Sequence, residues 1–335
     1  MSNRFAGKAR RAKRQKLFAA IALIGPSGSG KTVSALMLAY GMMKAKYPEL
    51  SDEEIWPKIG VADTEHERSL LYEGLVFNNV RIGQFTFIPF DPPYDVESYA
   101  AAQRELKAQG CEVTILDSIS HAWESEGGLL ELQQSFGGKF QDWMKTNPYY
   151  RRFINIVTGV ENQIHTISTV RAKQDYQVEQ SPVDGRMQVV KLGLRPVMRD
   201  SLEYEMALAF SLDMSNVATA VKDNTGGLFK DRPRILKPED GEVIARWLDT
   251  GEDIYAKIAE QRQAYIDMIR MIEQQAGEQV TKLIQSLENH RSIQRPLEEF
   301  TLEWLEKTYK MVKAKADELE GGGEDEAGSE DIPGA

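Results

Sequence analysis

Over the first 250 residues, short apolar runs alternate with longer stretches of helical periodicity. Residues 17–24 are continuously apolar and read as a buried strand, with 31–46 as the helix that follows. Residues 58–62 and 85–90 read as the second and third strands, 96–109 as a helix and 112–116 as a fourth strand. Residues 127–136 and 149–163 carry helical patterns, and 164–170 another strand. Strands separated by helices at this spacing predict an α/β fold with a mostly parallel central sheet flanked by helices.

The pattern then changes. Residues 174–179 and 186–192 alternate around Ser181-Pro182-Val183-Asp184-Gly185, the composition of a hairpin loop. Residues 204–212 and 217–221 read as two further strands at one edge, and 238–248 as a short helix. Beyond Gly251 the strand signal stops. Ile254, Ile258, Tyr265, Met268, Ile269 and Ile272 fall near one helical face, and Leu302, Leu305, Tyr309 and Val312 do so in a later helix. The expected domains are a basic arm over 1–16, a core over 17–250, a helical appendage over 251–317 and an acidic tail over 318–335. The arm and the tail are too polar to bury and are expected to be disordered.

Charge sharpens that division. The first sixteen residues hold seven cations and no acid, and residues 316–335 hold eight acids and no base, within a net charge of −10. No apolar run approaches the ~20 residues that span a bilayer, so no membrane partner is expected. The N-terminus lacks the apolar stretch of a secretory signal. One cysteine, Cys111, leaves no internal disulfide and fits a reducing cytoplasm. Four scattered histidines give no zinc spacing.

The densest chemical signal is Gly25-Pro26-Ser27-Gly28-Ser29-Gly30-Lys31-Thr32, a full match to G-x-x-x-x-G-K-[ST] between an apolar strand and a helix. Its glycines let backbone N–H groups curl around a phosphate at a helix N-terminus. Lys31 would neutralise the β- and γ-phosphates of ATP, and Thr32 would coordinate Mg²⁺. Val113-Thr114-Ile115-Leu116-Asp117 is an apolar strand ending in a carboxylate, which suits a second Mg²⁺ residue; Asp117 could instead cap the helix that follows. After the second strand, Asp63-Thr64-Glu65-His66-Glu67 offers Glu65 as a general base that polarises water. By composition alone, Glu65 could equally be one solvated acid among several in a charged loop.

These segments together resemble the RecA family of recombination ATPases, over about residues 17–250. The resemblance rests on GPSGSGKT at 25–32, VADTEHE at 61–67 and TILDSIS at 114–120. Further segments resemble a narrower group of RecA-like ATPases encoded by bacteriophages and prophages, some of which promote single-strand annealing. Those segments are GGLLE at 127–131, TVRAK at 169–173, LRPVMRDSLEYE at 194–205 and WLDTG at 247–251. The resemblance implies a RecA-like P-loop NTPase fold, Glu65 as catalytic base and Asp117 as the Mg²⁺ residue. It implies Thr169 and Arg171 as sensors of the γ-phosphate. It also implies Lys222 as a cation reaching a neighbouring subunit's phosphate, although Asn224 stands where a second cation is usual and Arg195 or Arg199 could substitute.

The expected partners are ATP, further copies of the chain in a ring or filament, and single-stranded DNA. DNA phosphates could meet the basic arm or the segment 171–192, where Lys173, Arg186 and Lys191 supply charge and Tyr176 a ring. The alternative is a helicase-loader-like or nucleotide-gated scaffold that binds a replication or recombination protein through its C-terminal helices. Residues 324–333 resemble the acidic ending of bacterial single-strand-binding proteins without its terminal aromatic, and a purely solubilising tail has the same composition.

Overall fold

In the first strand, β1 (Ala20–Gly25), every residue is buried, and successive side chains enter opposite cores. Ile21 and Leu23 join one apolar layer, whereas Ala20, Ala22 and Ile24 join the other. A strand buried on both faces must lie inside a sheet covered by helices. The computed structural model describes residues 11–180, 187–200, 202–251, 254–290 and 294–321. The side chains of 174–194 fall outside that description, so the hairpin loop, Tyr176, Arg186 and Lys191 lie beyond it. So do most of the basic arm and the acidic residues from Glu324 onward.

Residues Lys16–Gly251 form one unit. In chain order its elements are β1, α1 (Lys31–Lys46), α2 (Asp52–Ile55), β2 (Ile59–Asp63), β3 (Val76–Phe77), β4 (Val80–Arg81), β5 (Thr86–Pro89), α3 (Val96–Ala108) and β6 (Val113–Asp117). There follow α4 (His121–Glu124), α5 (Leu129–Ser135), α6 (Trp143–Val157), β7 (His165–Gln180), β8 (Met187–Pro196), α7 (Leu202–Glu205), β9 (Leu208–Leu212), β10 (Ala218–Asp223) and α8 (Pro238–Leu248). The sheet order is β10-β9-β1-β7-β6-β2-β5, parallel from β9 to β5, with β10 antiparallel at one edge. The mostly parallel α/β sheet expected from the sequence is therefore present.

Helices α1 and α8 cover one face and α3 and α6 the other. The first pair meets at backbone distance. A Cβ at Gly41 would fall 1.8 Å from the Pro238 carbonyl oxygen, so only glycine permits this approach. On the opposite face Phe153, Ile156 and Val157 of α6 pack with Tyr99 and Leu106 of α3.

Three expectations need correction. The strand expected over 204–212 begins only at Leu208, because Leu202 and Met206 bury themselves at i,i+4 spacing around the short helix α7. The helix expected over 149–163 runs instead over Trp143–Val157, with Pro148 inside it. Pro148 forfeits one helical hydrogen bond near an exposed end, where Met144 is solvent-facing, and Gly159 with φ 72° marks the exit. The strand read over 164–170 and the first hairpin strand are one continuous β7. Its first half pairs with β1 and β6, and from Ala172 onward it pairs with β8.

A second unit holds α9 (Ile254–Ala276), α10 (Glu278–Glu288) and α11 (Leu302–Gly321). Ile266, Ile269, Val280, Ile284, Leu305 and Val312 form its core, while Ile258, expected on the apolar face, is exposed. No helix among the described residues is long and apolar enough to cross a membrane.

Candidate active site

The strand order sets β1, β7, β6 and β2 side by side, so their carboxyl ends open into one crevice. Register then fixes which residues meet. Gly25 lies opposite Arg171, Leu116 opposite Ser168, and Asp63 opposite Asp117.

The loop after β1 is closed by Gly30, which has φ 77° and would place a Cβ 2.9 Å from Asn216 Oδ1. Lys31 Nζ donates to the carbonyls of Gly25 at 2.9 Å and Pro26 at 2.8 Å. Burial pulls the Lys31 pKa down, and the charges of Asp117 and Glu65 oppose that pull. Ser29 Oγ is buried with no hydrogen-bond partner among the described residues.

Asp117, at the end of β6, is buried. Its Oδ2 accepts from Thr32 Oγ1 at 2.6 Å and its Oδ1 from Thr169 Oγ1 at 2.5 Å. Burial raises its pKa against the effect of those two bonds. The donor set of Thr32 and Asp117 consists of oxygens alone and includes one carboxylate. That set suits Mg²⁺, which keeps several waters and is held by one or two carboxylates. Among the described residues no cluster of three or more His, Cys, Asp or Glu could hold a metal.

Glu65 meets a different partner. Arg171 Nε and Nη2 donate to its two carboxylate oxygens at 2.7 and 2.5 Å. Burial alone would raise the Glu65 pKa, but the paired guanidinium outweighs it and holds the group below the usual carboxylate range. Glu67 is exposed, which separates the two acids of this loop. Thr169 and Arg171 are thus both brought to the crevice, on the two carboxylates. Lys222 lies at the sheet edge on β10, beside Ile24, Tyr204 and Ser211 in a pocket of about 250 Å³. Its side chain makes no hydrogen bond or ion pair among the described residues, while its backbone is paired with Ala209 of β9. Arg195 pairs with Asp200, and Arg199 bonds Asn147 and lies over the rings of Trp143 and Tyr150.

Sequence reasoning missed the groups that shape the Glu65 loop. Asp63 is buried: its Oδ1 accepts from the Glu65 N–H at 2.6 Å, and its Oδ2 from Ser69 N–H at 2.8 Å and Ser69 Oγ at 2.6 Å. These bonds hold a turn in which His66 and Glu67 both have φ 59°. Thr64 Oγ1 donates to the Ser118 carbonyl at 3.1 Å and accepts from the Ser118 N–H at 2.7 Å. It also lies 2.5 Å from His121 Nδ1, so its one proton is shared out between that nitrogen and the Ser118 carbonyl according to the imidazole tautomer. Burial and the nearby Arg171 charge lower the His121 pKa, which favours the neutral imidazole. The only sequence signal for Asp63 was its place at the end of a strand.

Beside the β7–β8 arm lies a cleft of about 740 Å³. Trp123 and Trp143 stack in its wall with centroids 5.7 Å apart, and Phe140 is 90% exposed at its rim. Lys173, Arg195 and Arg199 supply its cations.

A family model described as an AAA domain matches residues 18–245. No curated protein matches the chain.

Proposed function

The chain belongs to the AAA domain family of P-loop ATPases, and from that premise we propose that it hydrolyses Mg-ATP to act on single-stranded DNA. The proposed pathway is recombination or annealing, and the proposed assembly is a ring or filament of copies. The observation that carries the catalytic reading is the convergence of Lys31, Thr32, Asp117 and Glu65 at adjoining strand ends.

In this reading the backbone of residues 25–32 cradles the phosphates, and the unpartnered Ser29 hydroxyl lies in the same loop. Lys31 exchanges its two loop carbonyls for the β- and γ-phosphate oxygens. Thr32 and Asp117 hold Mg²⁺, which neutralises phosphate charge when bound. Asp117 keeps its orientation through Thr169. Glu65 accepts the proton of the attacking water. Lys222, placed away from these groups on the sheet edge, serves the site of a neighbouring copy.

The DNA reading is supported by the cleft, whose exposed ring and stacked tryptophans offer base-sized apolar surface beside three cations. Steady-state ATPase assays with and without single-stranded DNA test it, with Lys31→Ala as the control that abolishes turnover. A rate indifferent to DNA would remove the nucleic-acid half of the proposal. Unchanged hydrolysis by folded Lys31→Ala would remove the other half.

A further inference from the structure

We propose that the turn leaving β9, through Met214 and Asn216, seats the nucleoside of ATP, a reading that rests on the proposed Mg-ATP site. The direction of the bound nucleotide follows from the chemistry. Phosphoryl transfer sets the attacking oxygen, the γ-phosphorus and the leaving oxygen roughly in line. Glu65, the proposed base for that attack, and Asp117 both lie on the side of β1 that carries β7, β6 and β2. The leaving oxygen, with the α-phosphate and nucleoside behind it, then extends to the opposite side of β1. That side carries β9, paired with β1 from Ile21 to Ile24.

The end of β9 lies against the phosphate loop itself. A Cβ on Gly25 would fall 2.8 Å from the Leu212 carbonyl oxygen, one on Gly28 3.7 Å from Met214 Cε, and one on Gly30 2.9 Å from Asn216 Oδ1. Three glycines of the loop thus face three residues of one short segment. The turn is built to hold that place. Asp213 Oδ1 accepts from the Ser215 N–H at 2.8 Å and the Val217 N–H at 3.0 Å. The Asp213 N–H donates to the Val217 carbonyl at 3.1 Å, and its carbonyl accepts from the Asn216 N–H at 3.1 Å. Asn216 sits at φ 63°, in the left-handed region that asparagine tolerates better than most residues.

The backbone of the turn is fastened while its side chains stay open. Asn216 makes no side-chain hydrogen bond among the described residues, so its amide has both donors and an acceptor to offer. Met214 is 66% exposed, with its methyl group beside Gly28. An unbranched thioether adapts to the face of a ring that settles on it. No cation stands between Asp213 and Val217, and the segment carries the Asp213 acid, so a phosphate is the wrong partner for it. A nucleoside is uncharged, with an apolar base face and polar edges and hydroxyls. Met214 matches the first and Asn216 the second.

The test uses the full-length chain, titrated by calorimetry with Mg-ADP and with inorganic tripolyphosphate, which offers phosphates without a nucleoside. Asn216→Gly removes the amide and keeps the left-handed backbone free of strain. Met214→Ala removes the thioether, and Met214→Leu keeps its bulk. Mg-ADP affinity should fall by about 3–10-fold in Asn216→Gly, the weight of one hydrogen bond. In Met214→Ala it should fall by about 4–15-fold, as for one or two uncovered methylenes, and Met214→Leu should stay near wild type. The KM for ATP should rise in step, while tripolyphosphate affinity stays the same in all three variants. An equal loss of tripolyphosphate affinity would mean that the turn only props the loop. Unchanged Mg-ADP affinity in both Asn216→Gly and Met214→Ala would seat the nucleoside elsewhere. Either result overturns the proposal. Lys31→Ala should lose both ligands, and wild-type binding of both by that variant would instead remove the Mg-ATP reading, whatever the turn does.

Discussion

The ends of β6 and β2 lie side by side, and each presents a carboxylate to the same crevice, yet the two are treated in opposite ways. Asp117 closes β6 among neutral hydroxyls from Thr32 and Thr169. Glu65, just beyond β2, is forked by a permanent cation. Burial drives the Asp117 pKa up, whereas the Glu65 pKa is held down despite burial. A buried carboxylate that makes no direct ion pair is short of positive charge even with Lys31 nearby, and an arriving Mg²⁺ would supply it. A carboxylate with its own arginine already has its counter-charge and stays ionised, as a group that is to accept a proton must. Under the proposed function these two environments suit Asp117 to holding a metal and Glu65 to moving a proton.

Substitutions that remove only the charge separate these assignments. Asp117→Asn is expected to have the largest effect: hydrolysis falls to the level of buffer alone, and nucleotide binding becomes indifferent to Mg²⁺. Glu65→Gln should bind Mg-ATP as wild type does while turnover slows by about 10²–10⁴, the usual contribution of a positioned acid–base group. Nucleotide titrations with and without Mg²⁺, beside single-turnover rates, give both readings. If both variants lost Mg²⁺ dependence together, the two ends would form one undivided site and the contrast would fail.

Asp63 sharpens the comparison, because it hydrogen-bonds the Glu65 loop and bears on Asp117, its cross-strand neighbour, through charge alone. It positions the loop by accepting from the Glu65 and Ser69 backbones, so Asp63→Asn, which turns an acceptor into an N–H donor facing them, loosens the turn. The expected loss in kcat is roughly 10²-fold, as for a misplacement of about 1 Å, with nucleotide affinity retained. A rise in KM with normal kcat would mean that Asp63 shapes nucleotide binding instead.

Much of this was legible in the sequence, and the remainder was hidden for a definite reason. Residues 25–32 carry their meaning locally, since a helix following a glycine-rich turn forms a phosphate cradle in any such fold. The strands were readable from apolar runs such as that of β6, whose burial on both faces leaves no polar alternation. Thr64, Ser118 and His121 were not readable, because their bonds arise from the register of β2 against β6, which sets residues 54 and 57 positions apart in contact. The Asp63 side chain bonds only locally, to Glu65 and Ser69, through a turn with two left-handed residues that composition does not announce. The start of α6 was missed because Pro148 reads as a boundary, although it is tolerated within the helix. The Glu65–Arg171 fork was equally invisible, spanning 106 positions of sequence.

The smallest expected effect concerns the other end of β7, where the strand begins with a half-buried base in place of a cation. His165 Nδ1 accepts the Ala19 N–H at 2.9 Å, and Phe18 meets its ring edge-on at 5.5 Å. Burial, aided by the charges of Lys46 and Lys16, pushes its pKa down to about 4. In the unfolded chain a histidine titrates near ~6.5. The folded value is the depressed one, so this stabilisation is complete above the unfolded pKa and is lost as pH falls through 6.5 toward 4. Between pH 7 and pH 5 the unfolded state gains most of a proton that the native state refuses, a loss of about 2 kcal/mol. His121, also depressed, adds a loss of the same sign. Comparison with His165→Asn, whose side-chain oxygen can accept the same N–H but does not titrate, isolates the His165 share. Urea unfolding of both proteins at the two pH values should show the wild type losing more stability than the variant by that amount. Equal losses would mean that His165 takes up its proton in place, with the β1–β7 seam reorganising around the charge.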